Sequence, residues 1–278
     1  MSCISAAACT AVGTYDTSSG GARTLIESWN GTHWSVVPSP SPGSGDALSG
    51  VSCISAEACT AVGDLIESWN GTHWSVVPSP NPGTRRNGNA NFLDGVSCVS
   101  ADACTAVGYY EDIEGDTLNL IESWNGTIWS VVPNPLVETT YGLNAVSCAS
   151  ADACMAVGHY FGQTSNVNKT LVELWDGTTW SVVPTPNRGS GPDDDLSGVS
   201  CASAGACTAV GSYLNSSTHF GQTLIESWNG TTWSLAPSPS RGAGGNSLNA
   251  VSCTSADACM AVGTHSNRTL TVSGSASG

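Results

Sequence analysis

The chain has 278 residues, of which 10% are charged and 40% hydrophobic, with 32 glycines and 13 prolines. That is long enough to bury a large core, too apolar for a disordered chain, and rich in turn-forming residues. The formal net charge of −15 argues against a nucleic-acid groove, and no apolar run approaches the roughly 20 residues of a membrane helix.

The first element, MSCISAAACTAVG, holds Cys3 and Cys9, and the chain repeats this arrangement. Further pairs follow at Cys53/Cys59, Cys98/Cys104, Cys148/Cys154, Cys201/Cys207 and Cys253/Cys259, always C-x5-C, with intervals of 50, 45, 50, 53 and 52 residues. Zinc needs four ligands, and no histidine accompanies each pair at a regular spacing. The pairs therefore predict disulfides, and with them an oxidising setting, extracellular or at the cell surface. Each bridge closes a short loop, so it is expected to stiffen its turn more than the whole fold. The N-terminus has neither the basic start nor the long apolar stretch of a signal peptide. Met1 begins inside a repeat, which predicts in-frame repeat sequence upstream.

The next element is the hairpin SWNGTHWSVVPSPSPG at Ser28 to Gly43, which returns at Ser68 and, more loosely, at Ser123, Leu174 and Ser227. Asn30-Gly31 predicts a two-residue type I′ turn. That register places Trp29 opposite Thr32 and Trp34 opposite Glu27, so the two indoles become diagonal neighbours. Leu25, Glu27, Trp29, Thr32, Trp34 and Val36 then share one face. The regular tryptophan pairs predict blade-to-blade packing. Glu27, Glu67, Glu122, Glu173 and Glu226 occupy one equivalent place, where each is expected to accept hydrogen bonds from an indole N–H or a turn backbone.

The fourth copy shows a whole unit. AVSCAS is a strand, SADA a tight turn, CMAVGHY a second strand and FGQTSNVNK a polar loop. TLVELW is a third strand, Asp176-Gly177 a turn and TTWSVVPTP a fourth strand, ended by Pro184 and Pro186. Four antiparallel strands per repeat of about 40 to 50 residues predict an all-β fold, a β-propeller of six blades. The last unit, ending TLTVSGSASG, lacks a tryptophan pair, so its blade is incomplete. The expected layout is one propeller over 1–272, with repeats 1–49, 50–94, 95–144, 145–197, 198–249 and 250–272, and a flexible tail at 273–278.

The order of parts resembles Kelch-type repeats. The inner hairpin ends in hydrophobic-Gly (Gly13, Gly63, Gly108, Gly158, Gly211, Gly263), and Tyr15, Tyr110, Tyr160 and Tyr213 follow in four copies. The pattern VSC…ACxAVG…WNGTxWS is similar to tandem propeller repeats of secreted bacterial proteins. The hairpin also resembles the Asp-box of sialidases. These resemblances imply a propeller; they imply no particular activity.

Antiparallel order puts the near-invariant turns at one end of each blade and the variable inter-strand and inter-blade loops at the other. All seven basic residues fall in the variable loops, with twelve of the 22 acidic ones. No G-x-S-x-G elbow or H-E-x-x-H motif occurs, and neither Glu111–Asp116 nor Asp193–Asp195 has EF-hand spacing. The sequence thus predicts no catalytic residue, no metal and no cofactor. The expected function is a non-catalytic, monomeric binding scaffold for a protein or glycan. Arg85, Arg86, Tyr109, Tyr110, Tyr141, Tyr160 and Tyr213 are the loop candidates, because Arg and Tyr dominate recognition surfaces. A sialidase-like glycoside-acting enzyme and a purely structural array are the alternatives.

Overall fold

β-Branched and alternating apolar runs, cut by Gly, Asn and Pro, leave the chain no helical periodicity to follow, and it folds as strands. The computed structural model describes residues 1–18, 20–83, 91–135, 140–162, 166–188, 193–242, 244–266 and 268–274, without the side chains of 140 and 141. Blade one comprises β1 (Ser2–Ser5), β2 (Ala8–Asp16), β3 (Ala22–Trp29) and β4 (Trp34–Val37). Blade two holds β5 (Leu48–Ser55), β6 (Ala58–Gly63), β7 (Ile66–Trp69) and β8 (Trp74–Val77). Blade three holds β9 (Asn91–Ser100), β10 (Ala103–Glu111), β11 (Thr117–Trp124) and β12 (Trp129–Val131). Blade four holds β13 (Thr140–Ser150), β14 (Ala153–Gly162), β15 (Val167–Trp175) and β16 (Trp180–Val182). Blade five holds β17 (Asp194–Ser203), β18 (Ala206–Leu214), β19 (Gly221–Trp228) and β20 (Trp233–Leu235). Blade six has three strands, β21 (Asn246–Ser255), β22 (Ala258–His265) and β23 (Arg268–Gly274). Each sheet is a meander in chain order, and the fold is a six-bladed β-propeller with a three-stranded last blade.

The chain divides into two compact units. The first holds Met1–Asp116 and Leu120–Val132, the second Thr117–Asn119 and Pro133–Gly278. In the first unit, Trp74 and Cys59 of blade two pack on Ile26, Val12 and Val37 of blade one. Trp129 and Cys104 of blade three pack on Val62, Ile66 and Val77 in the same way. In the second, Trp228 and Trp233 of blade five pack on Met155, Val157 and Val172 of blade four. The tryptophans are thus blade-to-blade packing, as their spacing predicts. Trp74, Trp129 and Trp233 are each 6% exposed, whereas Trp34, with no earlier blade in its unit to cover it, is 40% exposed.

A second regular contact lines each seam. The serine of each VSC accepts a hydrogen bond from the cysteine amide of the next blade. Cys53 N reaches Ser2 Oγ and Cys98 N reaches Ser52 Oγ in the first unit; Cys201 N reaches Ser147 Oγ and Cys253 N reaches Ser200 Oγ in the second, all at 3.0 Å.

All six cysteine pairs form disulfides within their C-x5-C motif. The joining turn is tighter than the expected five residues, since β1 ends at Ser5 and β2 starts at Ala8. Cys3 and Cys9 are direct cross-strand partners, with a register shift beside them and Cα atoms 4.0 Å apart, closer than an ordinary ladder pair.

The bridges also reach deeper than a staple at a surface turn would. In blades two to five the second cysteine is a core residue: Cys59, Cys104, Cys154 and Cys207 are only 3–7% exposed, while their partners Cys53, Cys98, Cys148 and Cys201 are half-buried. The cause is register. Cys154 stands opposite Trp175 and Cys207 opposite Trp228, on the strand face that enters the seam. The expectation that each bridge serves its turn is therefore corrected, because Cys154 and its equivalents fill core volume as well.

The tryptophan hairpin departs from the expected register. Trp29 pairs directly with Trp34 and Glu27 with Val36, so the turn spans four residues and Thr32 leaves the shared face. The reason is the Asn30 side chain. Its Oδ1 accepts from Thr32 N (3.0 Å), His33 N (3.1 Å) and Thr32 Oγ1 (2.8 Å), an Asx-type closure that only Gly31, at φ +92°, completes in the left-handed region. The same loop recurs at Asn70, Asn125, Asp176 and Asn229. Each indole pair is therefore face-adjacent rather than diagonal, with centroids 5.7 Å apart.

The glycine of AVG also has a structural cause. In blade five a register shift falls between Leu196 and Gly198, and Gly211 lies opposite Leu196. A Cβ on Gly211 would run into the Asp195 carbonyl, and Gly63, Gly108, Gly158 and Gly263 meet the equivalent backbone. Gly13 has open space instead. Gly211→Ala is expected to lower stability by about 1–3 kcal/mol through overpacking at the bulge. Gly13→Ala should stay within about 0.5 kcal/mol of the parent. Thermal denaturation of the two variants, side by side, checks this.

Candidate functional site

Two sets of residues could carry chemistry: the repeated glutamates inside the blades, and the polar residues at the variable-loop end.

The glutamates do not take the role expected of them. Each indole N–H donates to a turn carbonyl instead: Trp29 to Ala6, Trp69 to Ala56, Trp124 to Ala101, Trp175 to Ala151 and Trp228 to Ala204, at 3.0–3.1 Å. The carboxyls lie deeper. Glu67, Glu122, Glu173 and Glu226 are at most 1% exposed. Three of them stand opposite small alanines, Ala61, Ala156 and Ala209. Ser39, from the segment following β4, donates to both oxygens of Glu67 at 2.9 Å. In the second unit Asn119 Nδ2 donates to Glu173 Oε1 at 3.0 Å. Neither oxygen of Glu226 finds a partner among the described residues. Burial pushes the Glu67, Glu122 and Glu173 carboxyls up to about 7 and that of Glu226 to about 8. They sit in packed seams, where their proton is held for packing.

The variable-loop end of the second unit gathers a different set. The ladders of strands two and three run further than the sequence suggests, reaching the pairs Gly162↔Val167 and Leu214↔Gly221. The tyrosines expected on loops consequently stand on strands: Tyr109 and Tyr110 on β10, Tyr141 on β13, Tyr160 on β14, and Tyr213 on β18. Tyr109 stacks on Phe92 at 5.2 Å, and Tyr110 packs against the blade-three core. Tyr160 is half-buried and pairs with Lys169. Arg85, Arg86 and the side chain of Tyr141 lie outside the described residues.

Tyr213 is the candidate that the fold builds into a site. The Arg188 guanidinium lies 4.4 Å from its ring centroid, and Arg188 Nη1 is 3.3 Å from its hydroxyl. The Arg188 amide donates to Asp194 Oδ2 at 2.7 Å, and Asp194, only 4% exposed, is the cross-strand partner of Tyr213. Burial raises the Asp194 carboxyl despite that hydrogen bond and the nearby Arg188 charge. On the other side of β17, Asp195 Oδ1 meets His159 Nδ1 at 2.8 Å and accepts from Asn144 Nδ2 at 2.9 Å, while Oδ2 accepts from Ser197 Oγ at 3.1 Å. Asp193 Oδ1 accepts from the Asn168 amide at 3.0 Å. The Asp193–Asp195 run is therefore a hydrogen-bonded strand entry and not the solvated loop its composition suggests. His159, expected to lack a partner, has one in the next blade.

The acidic turn of blade three closes on itself: Asp112 Oδ1 accepts from the amides of Glu114 (3.0 Å) and Asp116 (2.9 Å). Among the described residues no group of three or more His, Cys, Asp or Glu is placed to hold a metal ion.

No protein-family model and no curated protein matches this chain. Solved structures do match. One is YCF48 bound to D1 peptide, at 10% identity and TM-score 0.52, over 92% of this chain and 74% of that one. YjhT matches at 12% identity and TM-score 0.51, over 94% and 96%. The GH74 xyloglucanase from Xanthomonas campestris matches at 13% identity and TM-score 0.57, over 92% of this chain but 42% of the enzyme. At such identities the likeness is one of fold, the β-propeller.

The buried carboxyls make stability depend on pH. Their pKa values are raised above the ordinary glutamate value of 4.5, so the folded chain binds these protons more tightly than the unfolded one. Their contribution is fully present below about pH 4.5 and is lost as pH rises toward 7–8. Thermal melts should fall from about pH 5 to about pH 8.5, and Glu226→Gln should flatten that slope by on the order of 1–3 kcal/mol.

Proposed function

We propose that this protein is a non-catalytic, monomeric, extracellular binding scaffold with Kelch-like blades, and that it recognises a protein segment or glycan through the variable-loop end of its blades. The observation that carries this reading is the Arg188–Tyr213 pair. A guanidinium held against a tyrosine ring, with its backbone fixed by Asp194, is a preorganised recognition element rather than a drifting loop. Arg and Tyr are the residue types that concentrate binding energy. Two fold neighbours lend support of a coarser kind: one was solved with a bound peptide, and another is a xyloglucanase, so this architecture serves both ligand classes elsewhere. Six disulfides suit an oxidising exterior. The glycosidase alternative needs an acid and a nucleophile facing one substrate. The nearby Asp194 and Asp195 are instead held by structural partners.

Screening the oxidised protein on glycan and peptide arrays tests the proposal. A specific ligand is expected, with affinity reduced about tenfold or more in Tyr213→Ala and Arg188→Ala. Unchanged binding in both variants would remove this site. Turnover of a chromogenic glycoside would overturn the non-catalytic reading.

A further inference from the structure

The three-stranded blade carries a second, independent interaction surface. In blades one to five, the third strand is covered by a short fourth strand of the pattern Trp-Ser-aliphatic. In blade five the pairs are Trp228↔Trp233, Ser227↔Ser234 and Glu226↔Leu235, and the Ala236 amide then donates to the Ile225 carbonyl at 2.9 Å. Blade six aligns without a gap: Cys259↔Gly274, Ala261↔Val272 and Val262↔Thr271 match Cys207↔Trp228, Ala209↔Glu226 and Val210↔Ile225. Thr271 therefore takes the place of Ile225, and its backbone N–H and C=O point away from β22, to the side where a fourth strand would lie. No strand pairs with β23 on that side among the described residues.

The packing beside this edge is also unfilled. The seam between blades five and six contains a cavity of about 320 Å³, lined on one side by Val210, Ile225 and Ala236 and on the other by Ala261, Val272 and Gly274. The corresponding seams of the first unit, whose later blades carry tryptophan pairs, leave about 130 and 230 Å³. A Cβ at Gly274, the place of the third-strand tryptophan, would meet nothing within 4 Å. Edge and cavity adjoin, as the fourth strand and its tryptophan do in the other blades.

We propose that the β23 edge is a strand-addition site. Its occupant is an extended segment of another polypeptide with the chemistry Trp-Ser-aliphatic-aliphatic-Pro. That segment lies antiparallel to Thr271–Gly274 and places its tryptophan in the cavity between blades five and six. Main-chain hydrogen bonds supply affinity, and the alternate side chain that enters the cavity supplies specificity. The five complete blades define both the register and the tryptophan.

The test is titration of the full chain with a fluorophore-labelled synthetic peptide of sequence GTTWSLAPSP, residues 230–239, followed by anisotropy. Saturable binding is expected, weakened about tenfold or more when the peptide tryptophan becomes alanine. Thr271→Pro places a proline where the N–H faces the open edge, so the β22 ladder is kept. It should abolish binding while circular dichroism and the melting profile stay those of the parent. If that variant fails to fold, Gly274→Lys, at a site with open space, takes its place and should weaken binding by charging the entrance to the cavity. Absence of saturable binding to the parent, or equal binding to the folded edge variants, overturns the proposal. Sedimentation that shows a peptide-free dimer abolished by Thr271→Pro would assign the edge to a second copy instead, and overturns the proposed occupant.

Discussion

One hydrogen bond, made in five blades, decides which end of a blade is free to vary. The indole N–H at the end of the third strand donates to the carbonyl of the turn between the first two strands, as from Trp29 to Ala6 and Trp175 to Ala151. It ties two turns that are distant in sequence. The disulfide and the Asx-closed loop lie at the same end, so three devices constrain one small region. A substitution there meets a covalent bond, a shared carbonyl or a captured amide. The opposite end has only ladder ends and loops, where length and charge change at little cost. Blade two shows the extreme, joining β6 to β7 through two residues.

The seams between blades follow from the same economy of parts. The serine–amide bond repeats at 3.0 Å in both units. The buried glutamates are less expected, since an ionised carboxylate in such a seam would be heavily penalised. Opposite alanines leave room for the longer side chain, and burial keeps the proton on. A neutral carboxyl can donate as well as accept, so it can answer Ser39 in one seam and Asn119 in another. The position tolerates different neighbours because the acid adapts to each.

Much of this architecture is legible in the chain itself, and the limits are physical. Cysteine spacing, tryptophan pairs and turn residues repeat within single blades, and local pattern shows them. The spacing of Cys148 and Cys154 reveals the bridge, but the burial of Cys154 depends on which face its strand turns to the seam. Asn30-Gly31 misleads because the dipeptide suits a two-residue turn, while the asparagine side chain captures two amides further on and lengthens the loop. The AVG glycine is visible as a motif, yet its cause is a carbonyl across the ladder, Asp195 for Gly211. Tyr213 stands out by residue type. Its partner Arg188 is 25 residues away, and His159 finds Asp195 across 36. Pairings between neighbouring blades depend on how sheets stack, and no periodicity within one blade encodes that.

Blade six links these themes, because it departs from the other five in three places at once. Val272 stands where the other blades carry glutamate, Gly274 where they carry the third-strand tryptophan, and no fourth strand covers β23 among the described residues. These differences are coupled. Without a fourth strand, a glutamate at position 272 would be partly open to water, and the tight apolar seat that holds its proton elsewhere would be missing. Without the tryptophan, nothing crosses to the turn at Ala256 as Trp228 does to Ala204. Valine suits a half-buried strand position that retains apolar contact, and Val272 packs beside Leu270 and Ala261 in the blade-six core. The residues of β23 are thus matched to an edge rather than to an interior strand. The ladder of three strands remains intact up to the line where a fourth would begin.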